Sequence, residues 1–379
     1  MPALMMEATM GRIFDGHAYC FPSLRGPAGF SDPALFGRHL QHAIATHFQP
    51  LWRMGDRAPA DSRLLVDPAI WPRLDAVRAA RETRFRAADN GRFEWTLDGE
   101  EYVKQYLPPS IADMQYPPDR LVAEMDYAGV DRALLHRTPY LGVGNEFVAD
   151  CVRLFPDRLL GLAHVEEWLV QEDPAGAFGK LERAVRQQGL SGLQFLPPQL
   201  DLYGQDGPWD GAGFRPFWDG VAGLKIPVFF SLKERADPRR ESYLNELRTL
   251  LRWMQRYPDV TVVLTHGLNW RLFVDGDRIQ LPEEVWAPFA NPRAYLQLLF
   301  PITLGGLWDY PLSQVRPVVE ACVRRVGAHR LMWGTDMPIV LRFWTYRQNV
   351  DFIRRYCDFL SPAEIDAVMG DTAAALLGA

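Results

Sequence analysis

Beyond residue 117 the chain alternates between two hydrophobic patterns. Stretches with apolar residues at helical spacing give way, repeatedly, to short unbroken apolar runs. "PPDRLVAEMDYAGV" opens on proline with helical spacing, and the apolar "RALLH" follows. "GNEFVADCVRLFPD" precedes "RLLGLAHV", and "AGAFGKLERAVRQQG" stops at a glycine before "LSGLQFL". "FRPFWDGVAGLK" leads into "IPVFFSL", and "RESYLNELRTLLRWMQRYP" into "VTVVLTH". After the strand-like "AYLQLLF", "PLSQVRPVVEACVRRVG" reads as a helix and "RLMWG" as a strand. "YRQNVDFIRRYCDFL" and a Ser-capped "SPAEIDAVMGDTAAALLG" add two helices. With "RIFDG" counted first, strands are predicted at 12–16, 132–136, 159–165, 191–196, 226–231, 260–265, 294–299 and 330–334. Runs this apolar are buried on both faces, as in parallel sheets. Eight such βα units predict a distorted (β/α)8 barrel. A doubly wound open sheet is the alternative, but no Gly-rich phosphate loop follows the first strand.

The alternation breaks over residues 22–116, which are rich in Pro and Arg. This part contains a helical stretch, "DPALFGRHLQHAIATHF", and a hairpin signal, "FEWTLDGEEYVKQYL", turning at Asp98-Gly99. An insertion at the C-terminal end of a barrel strand sits over the mouth. It is read here as a lid within a single domain spanning 1–379, with an oligomer-forming insertion as the other reading.

Composition narrows the function classes. The formal net charge is −6 with both signs interspersed, so no basic stripe marks a nucleic-acid partner. Cys20, Cys151, Cys322 and Cys357 form no CxxC pair and read as reduced thiols of a cytoplasmic protein. No signal-peptide pattern or membrane-length apolar run is present. The partner expected is a small molecule.

In a barrel, polar residues at the C-terminal strand ends face the active site. Here these are Asp15, His17 and Tyr19 on the first strand, His136 on the second, and His164, Glu166 and Glu167 on the third. Gln194 ends the fourth, Ser231 and Lys233 the fifth, His266 the sixth and Asp336 the eighth. Imidazole and carboxylate together suit Zn, Mn or Fe.

Three patterns stand out: "IFDGH" at His17, "VTVVLTHG" at His266, and "RLMWGTDMP" at Asp336. Together with "LFPDRLLGLAHV" and "GLSGLQFLPP" they resemble the amidohydrolase superfamily, in its amidohydrolase-2 branch containing aminocarboxymuconate-semialdehyde decarboxylase. The resemblance implies an enzyme with a divalent metal at the barrel mouth; a homo-oligomer, or a hetero-oligomer with a related subunit, is expected. It would hydrolyse or non-oxidatively decarboxylate a small carboxylated organic substrate. His17 falls on the first His of a His-x-His pair, Asp336 on the strand-eight Asp, a ligand or proton acceptor, and His266 on the strand-six acid/base His. Tyr19 stands where the pair's second His is expected, and Ser231 where a strand-five His ligand is expected. Neutral hydroxyls are poor zinc ligands.

Four readings are open. Glu166, Glu167, His136 and His164 replace the missing ligands in a more carboxylate-rich site. Or His266 and Asp336 work as a metal-free pair, with Tyr19 or Lys233 stabilising an anion. Or the chain is a silent subunit of a hetero-oligomer. Or the site has become a dinuclear non-haem Fe or Mn hydroxylase, which requires Glu166 or Glu167 within ligand distance of His17 and Asp336. Arg53, in "HFQPLWRMGDR", is a candidate anion partner for substrate, and Trp308 a candidate aromatic platform. His39 and His42 share a helix face and are read chiefly as a lid contact.

Overall fold

The computed structural model describes residues 11–47, 49–67, 80–205, 207–233 and 239–379. All eight predicted strands are present. They are Phe14–Ala18, Arg132–Leu135, Leu159–Gly161 running on to Ala163–His164, Leu193–Phe195, Val228–Phe230, Val262–Leu264, Ala294–Leu298 and Leu331–Trp333. The first strand begins two residues later than its pattern suggests. Each strand pairs in parallel with the next. The third strand is interrupted at Leu162, so its first half pairs with the second strand and its last two residues with the fourth.

The ring closes between the eighth strand and the first. Ala18 and Met337 form a parallel bridge, the Tyr19 N–H donates to the Met337 carbonyl at 2.7 Å, and the Asp336 N–H donates to the His17 carbonyl at 2.8 Å. Glycine permits that approach, since a Cβ at Gly334 would meet the His17 Cβ at 2.9 Å. The result is a (β/α)8 barrel. It is distorted after the sixth strand. There the chain makes the ribbon Val274–Asp275/Arg278–Ile279 and a 3₁₀ stretch, Glu283–Ala290, in place of an α-helix. Pro288 lies inside that stretch and cannot donate an α-helical hydrogen bond.

Inside the ring, Phe14, Leu134, Leu162, Phe229, Val263 and Met332 form one apolar layer, capped by Ala373 of the last helix. Two residues further along, the inward positions turn polar: His136, His164, Ser231, Thr265 and Gln297. An apolar layer thus carries a buried polar one at the C-terminal end of the strands, where the chemistry of such barrels is placed.

Between the first and second strands lie the helix Pro33–Thr46, capped by Asp32, and a four-stranded antiparallel sheet. Its hairpin turns at Asp98 and Gly99, both at positive φ (51° and 80°), as a type I′ turn requires. The segment is tied back by reciprocal backbone bonds between Phe21 and Tyr116. Arg342, which follows the eighth strand, donates to the Tyr106 carbonyl at 3.2 Å. No helix among the described residues is long and apolar enough to cross a membrane.

Candidate metal centre

Simple alternation would point Phe14, Gly16 and Ala18 one way and Asp15, His17 and Tyr19 the other. The first strand breaks this rule. Asp15 pairs with Ala133 but Ala18 pairs with Leu135, so one extra residue is inserted between them. This is a β-bulge, and it re-aims the side chains beyond it. Phe14 faces the apolar interior, and after the bulge His17 and Tyr19 do as well, whereas Asp15 points outward. Asp15 accepts from the Thr335 backbone N–H (3.0 Å), the Thr335 hydroxyl, and the Tyr346 hydroxyl (2.8 Å) of an outer helix. Asp15 and His17 are therefore not one chelating pair. Asp15 fastens the first strand to the eighth, and His17 does the facing.

His17 is completely buried and stacks on His136, with ring centroids 3.6 Å apart and planes 11° apart. Its Nδ1 lies 2.8 Å from Gln297 Oε1. The Gln297 amide is oriented by its own Nε2–H, which donates to the Gly16 carbonyl at 2.7 Å, so Oε1 must accept. His17 therefore carries its proton on Nδ1 and presents a lone pair at Nε2. Burial lowers its pKa to about 3, so the ring is neutral. The Nε2 lone pair faces the Tyr19 hydroxyl at 2.8 Å and Asp336 Oδ1 at 3.4 Å. His266 Nε2 reaches the same Oδ1 at 3.2 Å. Burial pushes the Asp336 carboxyl up, but the hydrogen bond from His266 and the neighbouring positive groups outweigh it and hold it below its ordinary value. His266 and Asp336 both sit in the left-handed backbone region (φ 58° and 70°), a strain that concentrates at functional sites.

His17, His266 and Asp336 place one donor atom each within 4.8 Å of one another, and are the candidate metal-ligand group among the described residues. Donors about 2.1 Å from one ion lie roughly 3.0–3.4 Å apart at right-angle to tetrahedral geometry. The 3.4 Å edge between His17 Nε2 and Asp336 Oδ1 matches that spacing. The Nε2 lone pair accepts from the Tyr19 hydroxyl at 2.8 Å, and an ion bound beside Asp336 would take the place of that hydrogen. The residues present fit a metal ion.

An amidohydrolase-2 family model, described as Amidohydrolase, matches residues 44–379. The chain belongs to the amidohydrolase family. The match begins after the first strand, so the placement of His17 and Tyr19 rests on geometry. Several solved structures share the fold. A 5-carboxyvanillate decarboxylase from Sphingomonas paucimobilis is 20% identical, with 72% of this chain and 86% of that one covered and a TM-score of 0.52. A probable 2-pyrone-4,6-dicarboxylic acid hydrolase from Acinetobacter baumannii, solved with citric acid, is 17% identical (70% and 91% covered, TM-score 0.53). A dihydroxybenzoic acid decarboxylase from Polaromonas, solved with manganese and 2-nitroresorcinol, is 18% identical (70% and 87% covered, TM-score 0.52). Curated protein sequences show no match.

Within this amidohydrolase the other candidate residues are dispersed. His136 stacks against His17, and its Nε2 is 3.0 Å from the Gly16 carbonyl, so it supports the ring. Glu166 points to Lys180, with its two oxygens 2.7 and 2.6 Å from Nζ. Glu167 accepts from the Leu196 N–H at 2.8 Å and stands 3.4 Å from His164 Nε2. None of Glu166, Glu167, His136 and His164 joins the metal-ligand group. Ser231 bonds to Thr265 at 2.6 Å, Lys233 is exposed, and Arg53 is paired with Asp56 on the surface of the inserted sheet. Trp308 is half-buried and packs against the main core.

The mouth also holds residues that reasoning from strand ends does not reach. Arg342 lies over the Tyr106 ring at 5.2 Å, its Nε is buried without a partner, and its charge acts on Asp336. Tyr106 meets Tyr140 edge-on at 5.9 Å, and the His47 Nε2 is 3.3 Å from the Tyr106 hydroxyl. The one sequence signal for this support is Gln297, a lone amide inside the apolar "AYLQLLF". A cavity of about 540 Å³ lined by Arg12, Asp126, Arg132, Asp157 and Arg158 lies at the opposite, N-terminal end of the strands and is not this site.

Proposed function

We propose that this chain is a metal-dependent carboxy-lyase that removes carbon dioxide from a small carboxylated aromatic acid. One observation carries the reading. A neutral His17 with its lone pair presented and an ionised Asp336 converge beside His266, the member of the group with solvent access, 22% of its side chain being exposed. His17 and Asp336 anchor the ion, which when bound supplies Lewis-acid polarisation of substrate oxygens. Arg342 offers an unpaired Nε–H to a substrate carboxylate, and Tyr106 and Tyr140 wall an aromatic ring. His266, hydrogen-bonded to Asp336, delivers a proton to the ring carbon as the C–C bond breaks and carbon dioxide leaves. The segment 22–116, which brings Tyr106 and His47 to Arg342, acts as the lid that excludes water.

The relatives support the class: decarboxylases of carboxylated aromatics, one solved with manganese. The dinuclear hydroxylase reading requires Glu166 or Glu167 beside His17 and Asp336, and their partners are elsewhere. Metal analysis of purified protein, followed by a carbon-dioxide-release assay on hydroxylated benzoates, tests the proposal. One divalent ion and carbon dioxide release are expected. Retained metal with hydrolysis of a lactone dicarboxylate, and no carbon dioxide, would replace lyase by hydrolase. Absence of bound metal would remove the mechanism altogether.

A further inference from the structure

The proposed ion has two anchoring donors, His17 Nε2 and Asp336 Oδ1, with His266 left to move protons. Two donors are few for a resident ion, since structural sites use four and catalytic sites three. The residues that would complete the set in the superfamily pattern are Tyr19 and Ser231. Ser231 faces the interior, but its hydroxyl is engaged, bonded to Thr265 at 2.6 Å and approached by Gln194 at 3.4 Å. Tyr19 is turned inward. Its hydroxyl oxygen lies 2.8 Å from the same His17 lone pair that faces Asp336. Its backbone N–H is fastened to Met337, next to Asp336, at 2.7 Å. The bulge that aims His17 inward also sets Tyr19 on that face, and the Tyr19 ring is buried at 3% exposure.

We infer that Tyr19 is a ligand of the ion, bound as tyrosinate with its phenolic proton released to solvent, so that the site is a His17–Tyr19–Asp336 centre. This rests on the metal reading above and goes beyond it. A phenolate and a carboxylate are hard anionic donors, and with one imidazole they favour Mn or Fe over Zn. The missing histidine is replaced by a donor of different charge.

Ferric ion is the probe, because tyrosinate on Fe(III) gives a visible charge-transfer band that histidine and carboxylate do not. The full chain is stripped with chelator, loaded with ferric ion and desalted. Bound iron is then measured independently of colour. The expected result is about one retained iron per chain with a visible band. Tyr19→Phe should hold iron more weakly and show no band even when excess ferric ion fills the site, while Tyr106→Phe and Tyr140→Phe keep iron and band, and His17→Ala loses both. Iron retained by the wild type without a band overturns Tyr19 ligation and leaves the His17–Asp336 anchor standing. A band that survives Tyr19→Phe also overturns it. Failure to retain either ferric ion or Mn(II) overturns the metal reading itself, whereas Mn(II) retained without ferric ion overturns Tyr19 ligation, since a phenolate donor favours the harder ion. If Tyr19→Phe fails to fold, resonance Raman on the wild type decides, since tyrosinate modes enhanced in the band are required. Their absence overturns the inference.

Discussion

The first-strand corner and the third-strand end have similar inventories. One offers Asp15, His17 and Tyr19; the other offers His164, Glu166 and Glu167. Folding gives them different fates. At the first strand a bulge turns His17 and Tyr19 inward, toward Asp336 and His266, whose left-handed backbones aim them at one point. At the third strand the carboxylates are drawn elsewhere: Lys180 holds Glu166 and the Leu196 N–H engages one oxygen of Glu167, while His164 stands 3.4 Å from the other Glu167 oxygen, away from the His17 group. The lesson is that a site requires donors whose lone pairs share a target. A run of ligand-type residues at a strand end does not supply this by itself.

The sharpest way to break the contrast is at its centre. His17→Ala or Asp336→Asn should abolish metal retention and turnover together, read by metal analysis and a carbon-dioxide assay. His266→Ala should keep the metal and lower turnover roughly a hundred- to ten-thousand-fold, the usual worth of a positioned acid. If metal is lost instead, His266 is an anchor rather than the proton donor. Gln297→Leu removes the acceptor that fixes the His17 tautomer, and metal affinity should fall about 10- to 100-fold.

A smaller effect is expected from acid. Burial holds His17, His39 and His47 at about 3 and His42 at about 4, so all four are neutral in the fold. The unfolded chain, with histidines near 6.5, binds more protons between those limits. Stability therefore falls as pH drops below about 6.5 and continues to fall toward 3. Asp15, raised to about 7 by burial, works in the opposite sense, since its contribution is lost as pH rises through 7. Burial lowers His136 in the same way, and five groups against one should give a lower urea midpoint at pH 5 than at pH 7. The smallest effect belongs to the third-strand end. Glu166→Gln should cost no more than about 1 kcal/mol and leave metal content unchanged. Loss of metal there would restore the carboxylate-rich reading.

Much of the fold was legible because its signals are local. Eight apolar runs, proline starts and serine or threonine caps are written in neighbouring residues. The Thr345–Gln348 and Ser361–Glu364 capping boxes are both formed. His17, His266 and Asp336 were legible from strand ends. The support around them was less so. Arg342 lies well beyond its strand, and Tyr106, Tyr140 and His47 reach the mouth through loops and the insertion. No periodicity places such residues, because their positions depend on how a long connection folds back.

By itself the sequence determined an eight-strand barrel and which residues stand at the C-terminal strand ends, His17, His266 and Asp336 among them, since strand order and apolar pattern are properties of contiguous residues. Tertiary structure decided which way the first strand faces. One inserted residue reverses every side chain beyond it. That single bulge separates Asp15, spent on closing the barrel, from His17, whose lone pair a glutamine from the seventh strand, 280 residues away in the chain, directs at Tyr19 and Asp336.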